Sequence, residues 1–144
     1  MKDICIGGHS GTTIVPLLRT TINDKKHSPE DIQDMCSKIR NAGTVVVEAK
    51  KGNGSATLSM AAAGFEIVNA ILRGLSGEKG VVECAFVKSD ITSASYFASP
   101  LEFGLSGVER VLPLPELTQQ QQDMFDIALP ILKDDIQKGL DFPC

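Results

Sequence analysis

The spacing of the apolar residues changes near Gly77, and this change limits the possible folds more than any other feature of the sequence. Before Gly77, two long segments repeat apolar residues at the spacing of an α-helix. After Gly80, three short segments rich in β-branched and aromatic residues alternate with turn residues. A last helical segment follows them. This order predicts an α+β fold, in which an antiparallel β meander packs with long α-helices, and it argues against a repeating βα fold.

Three segments have the apolar spacing and the end signals of helices. Each begins at a residue whose side chain caps helices well, and Pro29 suits the first position of the first helix. Pro130 should kink the third helix. The predicted helices run from Ser28 to about Lys50, from Ser55 to Gly74 and Gly77, and from Thr118 through Ile136. The apolar stripe of the second consists of Ala56, Met60, Ala63, Ile67, Ile71 and Leu75.

Five segments are predicted as strands. The first two surround a glycine-rich stretch, and Pro16 places the second of them at a sheet edge or a bend. The other three form the expected meander. The predicted strands are 3–8, 13–19, 80–89, 95–104 and 107–113.

Composition limits the classes of partner. The 144 residues suffice for one domain with its own core, and the net charge of −4 is mixed along the chain. Without a basic block, neither nucleic acid nor a membrane surface is an expected partner, and no apolar stretch looks long enough to span a membrane. The four cysteines are far apart and form no C-x-x-C pair, so no metal site is expected.

His9 is the most unusual titratable residue. It lies in "GGHSG", where the flanking glycines permit uncommon backbone angles and leave room for a ligand beside the ring. A catalytic role and a structural role in a loop both fit this setting. The only other histidine, His27, precedes a helix among polar residues and is expected on the surface.

Three motif matches fail. "GHSG" resembles a nucleophile elbow, but Thr12 stands where the motif needs glycine, so a Ser10 hydrolase is a weak alternative. "GGHSGTT" lacks the lysine of a phosphate loop. "GNGSAT" follows a helix rather than a strand and has Thr57 where a dinucleotide loop needs a small residue. No nucleotide-binding βαβ unit is therefore expected within this chain.

Four blocks together resemble a known family. They are "IGGHSGTTIVPLL", "IRNAGTVVVEAKKGNGSATLSMAAAG", "GEKGVVECAFVKS" and "YFASPLEFGLSGVE". In this order and spacing they resemble the C-terminal, substrate-binding half of malate dehydrogenases of the mitochondrial and proteobacterial type, within the lactate/malate dehydrogenase superfamily. The resemblance covers residues 1–144 as one catalytic domain, without the N-terminal NAD-binding domain.

The resemblance implies roles for five residues. His9 would accept the hydroxyl proton of malate while hydride leaves the same carbon for NAD. Gly43, Ser55 and Ala56 would line the pocket for a dicarboxylic 2-hydroxy acid. Met60 would pack near the nicotinamide ring, although it also fits the apolar stripe of its helix. No metal takes part.

The resemblance also implies what this chain does not supply. In the family, the N-terminal half holds most of the NAD site, the arginines that bind both substrate carboxylates, and the aspartate that orients the histidine. The arginines here, Arg19, Arg40, Arg73 and Arg110, match no such position and are expected to be surface or interdomain charges. We therefore expect the chain alone to be inactive. The family forms homodimers and suggests a mitochondrial location, with the cytoplasm or another organelle as alternatives. A non-enzymatic association module, with His9 incidental, is the competing interpretation.

Overall fold

The computed structural model describes residues 3–18 and 27–143. Arg19 and Cys144 therefore lie outside the described residues, as does the predicted end of the second strand. The helices and strands are β1 (Ile4–Gly7), a 3₁₀ turn (Gly11–Thr13), β2 (Ile14–Leu17), α1 (Pro29–Ala49), α2 (Leu58–Leu75), β3 (Val81–Lys88), β4 (Tyr96–Gly104), β5 (Gly107–Val111) and α3 (Gln119–Leu140). This order confirms the predicted α+β class.

Within the described ranges the strands are hydrogen-bonded in the order β2-β1-β4-β3, and β5 pairs with β4. β1 runs antiparallel to β2, with Ile4 opposite Leu17, and it meets β4 at Gly7 and Ala98. β4 and β5 are antiparallel, as the predicted meander requires, with a register shift after Glu102. Pro16 lies in β2, at the end of the strand order, where its missing amide hydrogen interrupts no central ladder.

The chain divides into two compact units. The first comprises Met1–Arg40, Cys84–Ser99 and Pro113–Cys144, and the second comprises Asn41–Glu83 and Pro100–Leu112. The core of the first unit is a cluster of aliphatic and aromatic side chains, in which the rings of Phe97 and Phe125 meet edge to face at 5.9 Å. The fully or nearly fully buried members of this cluster are Ile6, Val15, Leu17, Ala94, Phe97, Ala128 and Leu132.

The ends of α1 and α3 follow local signals. Ser28 and Asp31 bond reciprocally at the start of α1: the Ser28 hydroxyl accepts from the Asp31 amide at 3.2 Å, and the Ser28 amide donates to the Asp31 carboxylate at 2.9 Å. Thr118 and Gln121 form the corresponding capping box of α3. Gln121 is buried, and its side-chain oxygen accepts from the Thr118 amide at 3.0 Å. α3 continues through Pro130 as one helix.

The start of α2 differs from the prediction. The helix begins at Leu58 after Thr57, and Ser55 is not its cap. The intervening loop turns through the positive φ angles of Lys51, Gly52 and Gly54. Helical geometry begins only at Leu58, three residues after Ser55.

The packing of α2 also differs. The helix ends at Leu75, one residue after Gly74, and Gly77 follows with a positive φ angle, as the predicted end requires. A Cβ on Gly74 would lie 2.8 Å from Phe103. Ala70 and Gly74 are the buried positions, whereas Met60, Ala63 and Leu75 of the predicted stripe are exposed. Small residues thus let α2 approach the backbone of β4 within the second unit.

α2 also corrects the expectation that no apolar stretch is long enough to span a membrane. It has 18 residues, a mean hydropathy of 1.3, and only 11% of these residues buried. Its length and composition are therefore sufficient for a span. One such helix is a weak indication of membrane insertion, because apolar helices that pack in soluble proteins meet the same criteria.

Candidate functional site

His9 lies on a short connection between two paired strands. β1 ends at Gly7, the 3₁₀ turn begins at Gly11, and the His9 side chain between them is exposed. Gly7 has a φ angle of +101°, in the region that favours glycine, and a Cβ there would lie 2.2 Å from the Thr13 carbonyl oxygen. The backbone thus turns sharply before His9 and presents the imidazole to the outside.

Thr13 organises the inside of this turn. It is completely buried, and its carbonyl accepts a hydrogen bond from the Gly8 amide at 2.9 Å. The Thr13 amide and hydroxyl both donate to the Ser10 carbonyl, at 2.7 Å and 2.8 Å. The residues on either side of His9 are therefore held by one buried residue, mainly through its backbone groups.

α3 closes the turn from another side. A Cβ on Gly8 would lie 2.3 Å from the Thr13 hydroxyl oxygen and 3.0 Å from a methyl carbon of Leu132 in α3. Only glycine fits at Gly8, since both neighbours are themselves buried in the core. The glycine before His9 therefore permits close packing, while His9 itself stays exposed.

Arg40 in α1 holds the outer face of the turn. Its Nε donates to the Gly11 carbonyl at 3.0 Å, and its Nη2 donates to the Thr12 carbonyl at 2.6 Å. Arg40 is half-buried and lies at the surface, as expected, and it also holds the backbone of the turn. No local pattern in the sequence indicates this contact, because the residues are 28 and 29 positions apart.

The other two described arginines are paired with carboxylates. Arg73 bonds Glu78, with Nε to carboxylate oxygen at 2.8 Å, and Arg110 bonds Glu102 across the β4–β5 pair, at 2.9 Å. Both pairs are on exposed surface, where their net contribution to stability is small. These two arginines are surface charges, as expected.

The four other predicted site residues lie in the second unit, whereas His9 lies in the first. Gly43 is an exposed position within α1, and a Cβ there would meet nothing within 4 Å. Ser55 and Ala56 lie in the loop before α2, where the Lys50 ammonium donates to the Ser55 carbonyl at 2.5 Å. Met60, in the first turn of α2, is 54% exposed.

Two further expectations concern other chemistry. The Ser10 hydroxyl bonds the Thr13 hydroxyl at 3.1 Å, so its described partner is another hydroxyl rather than a base that could activate it. Among residues 3–18 and 27–143, no three His, Cys, Asp or Glu side chains are grouped as metal ligands would be. The described residues therefore offer neither an activated serine nor a ligand set.

Comparison with known proteins gives consistent matches. Residues 2–143 match the family described as lactate/malate dehydrogenase, alpha/beta C-terminal domain. The chain is 49% identical over 142 residues to the malate dehydrogenase of Shewanella amazonensis, covering 99% of this chain and 45% of that protein. It is 45% identical over 138 residues to the mitochondrial malate dehydrogenase of Caenorhabditis elegans, covering 95% and 40%.

Solved structures agree on the fold. The Plasmodium falciparum malate dehydrogenase superposes with a TM-score of 0.75 at 24% identity, covering 97% of this chain and 46% of that one. A second structure of that protein, in complex with NADH, also gives a TM-score of 0.75, at 22% identity. The chain spans less than half the length of the relatives it matches. The family and the fold predicted from the sequence are confirmed: the chain belongs to the lactate/malate dehydrogenase family, as its alpha/beta C-terminal domain.

Proposed function

We propose that this chain supplies the proton-accepting histidine and part of the substrate pocket of an NAD-dependent malate dehydrogenase. One observation carries the proposal: His9 is exposed on a turn that is fixed from both sides, in a chain 49% identical to a protein named malate dehydrogenase. A histidine sealed in the core would have no access to a substrate. An exposed imidazole on a fixed backbone has both access and a defined position.

His9 acts in this proposal as a general base. It accepts the hydroxyl proton of L-malate while the C–H bond of the same carbon breaks, and it returns the proton when oxaloacetate is reduced. An imidazole suits this role because it can both accept and release a proton near neutral pH. NAD supplies the hydride acceptor when bound.

The residues of the second unit fit a substrate and nicotinamide surface. Gly43 has open space around its Cα, Ser55 offers a hydroxyl on an exposed loop, and Ala56 is small. The exposed thioether of Met60 can lie against a flat ring without a fixed geometry of its own. The described residues contain no phosphate-binding loop, so most contacts with NAD come from outside this chain. We propose that the active protein is a homodimer and is mitochondrial.

Two assays test these proposals. The chain alone should reduce oxaloacetate with NADH no faster than its His9→Ala variant, because the carboxylate-binding arginines and the orienting aspartate of the family lie outside it. Activity well above that variant would show that the chain is self-sufficient. Light scattering on the same sample tests association, which the exposed Leu58, Phe65 and Val68 of α2 favour.

A chimera tests the catalytic role directly. This chain replaces the corresponding C-terminal part of the Shewanella amazonensis malate dehydrogenase. The chimera should reduce oxaloacetate, and His9→Asn should lower kcat by about 10²- to 10⁴-fold. His27→Asn is the matched control and should have no effect, because His27 is exposed before α1. A folded, NADH-binding chimera whose rate does not depend on His9 would refute the proposal.

A further inference from the structure

The carbonyls of Gly11 and Thr12 lie apart from the bonds that Thr13 makes to Gly8 and Ser10. Thr13 bonds Gly8 and Ser10, which lie on the inner side of the turn. The outer carbonyls accept from Arg40: its Nε donates to the Gly11 carbonyl, which also accepts from the Ile14 amide, and its Nη2 donates to the Thr12 carbonyl. Two residues thus restrain the turn: Thr13 within it, and Arg40, which is 28 to 29 positions from its acceptors along the chain.

An arginine side chain is well suited to bind the carbonyls of Gly11 and Thr12 together. Its guanidinium is planar, so two of its N–H groups donate in a fixed direction to two acceptors at once. Hydrogen bonds from a charged donor are also stronger than those between neutral groups. A lysine could reach the same carbonyls only as a single, freely rotating charge.

The backbone of α1 is also close to the turn. A Cβ on Gly11 would lie 3.5 Å from the Arg40 carbonyl oxygen, which is ordinary van der Waals contact. The turn and this part of α1 are therefore neighbours, and Arg40 is half-buried between them and solvent.

We propose that Arg40 is a positioning residue for His9: by holding the Gly11 and Thr12 carbonyls, it fixes the backbone that sets the direction of the imidazole. The statement that Arg40 positions a catalytic group rests on the proposed role of His9. The statement that Arg40 restrains the backbone of the turn does not depend on that role. Arg40 itself touches neither substrate nor reacting atoms in this proposal.

Nuclear magnetic resonance of the chain itself tests the restraint. In Arg40→Ala, hydrogen exchange at the Gly8 and Thr13 amides should accelerate about tenfold, because loss of the outer bonds lets the turn open locally. Couplings across the Cα–Cβ bond of His9 should move towards rotamer-averaged values. His27, the only other histidine, is the internal reference. Arg40→Lys should give intermediate values, with hydrogen exchange and His9 couplings between those of Arg40→Ala and the parent chain.

Arg73→Ala is the matched control, since it also removes the exposed hydrogen bonds of an arginine but lies in the other unit. It should leave the Gly8, Thr13 and His9 signals unchanged. Unchanged exchange and couplings in a folded Arg40→Ala or Arg40→Lys chain would overturn the proposal. In the chimera, Arg40→Ala should lower kcat more than it changes KM for oxaloacetate. A chimera indifferent to His9→Asn would refute the proposed function but leave the exchange result standing.

Discussion

Gly8 and Thr13 are in such close contact that the Thr13 side chain occupies the space of a Cβ on Gly8, while the two backbones share a hydrogen bond of 2.9 Å. Gly8→Ala should therefore lower the free energy of unfolding by about 1–3 kcal/mol, since overpacking forces buried neighbours apart. Gly11→Ala, in the same turn, meets only an ordinary contact with the Arg40 carbonyl at 3.5 Å and should be tolerated. Urea unfolding compares them, and equal midpoints would contradict this account.

Gly74 and Gly64 make a matched pair within α2. Glycine to alanine inside a helix ordinarily raises stability by about 0.5–1 kcal/mol, and Gly64→Ala should do so because nothing lies near its Cβ position. Gly74→Ala should instead destabilise by about 1–3 kcal/mol, because its Cβ would lie 2.8 Å from the backbone of Phe103 and Gly104. Thermal unfolding shows whether each variant is more or less stable than the parent chain. A change in the same direction for both variants would show that α2 does not pack as described.

Thr118 and Thr57 both precede helices but differ in bonding. Thr118 accepts from the Gln121 amide in a capping box, whereas Thr57 makes no side-chain cap bond. Thr118→Ala should cost about 1 kcal/mol of unfolding free energy, and Thr57→Ala less than about 0.5 kcal/mol. If Thr57→Ala lost more unfolding free energy than Thr118→Ala, Thr118 would not be the residue with the stronger capping bond.

Asp31 should make the stability depend on pH. The Ser28 backbone amide, followed by the Ser28 hydroxyl, lowers the pKa of the Asp31 carboxyl. Because the pKa is lower in the folded than in the unfolded chain, the contribution is present above the unfolded value of about 3.9 and is lost as pH falls through the folded value. Unfolding midpoints of Asp31→Asn should thus approach those of the parent chain as the pH is lowered from 6 to 3.

Gly43 offers a variant that separates folding from the proposed function. Its exposed position in α1 has room for a side chain, so Gly43→Leu should leave the chain at least as stable. In the chimera, the added side chain should enter the proposed pocket and lower kcat/KM for oxaloacetate by about 100-fold. Gly64→Leu is the control at another open position. Full activity of the Gly43→Leu chimera would remove Gly43 from the pocket.

Features set by neighbouring residues could be predicted from the sequence. The Ser28 cap, the Thr118 cap and the strand before Gly8 depend on contacts within a few positions, and all three occur where expected. The predicted cap at Ser55 is wrong, since the helix begins after Thr57. Capping preferences do not reveal the loop before it, which has positive φ angles. His9 itself stood out by its glycines.

Features set by distant contacts could not be predicted in this way. Gly74 has the local signature of a helix end, yet its role depends on β4, about 30 positions later. The apolar spacing predicts that α2 is a helix, but it does not predict which face of α2 is buried within this chain. Periodicity carries no information about the element that packs against a helix. The contact of Arg40 with the turn could not be predicted for the same reason, because its acceptors lie far away in the sequence.

The link from Arg40 to Gly11 and Thr12 also has a consequence for the order of folding. A peptide limited to β1, the 3₁₀ turn and β2 could pair its strands and keep the bond from the Ile14 amide to the Gly11 carbonyl, but it would lack both bonds from Arg40. Closing a loop of nearly thirty residues costs chain entropy that local contacts cannot offset in advance. The geometry around His9 is therefore completed only when α1 docks, so a nascent or partly unfolded chain carries the histidine without its final orientation.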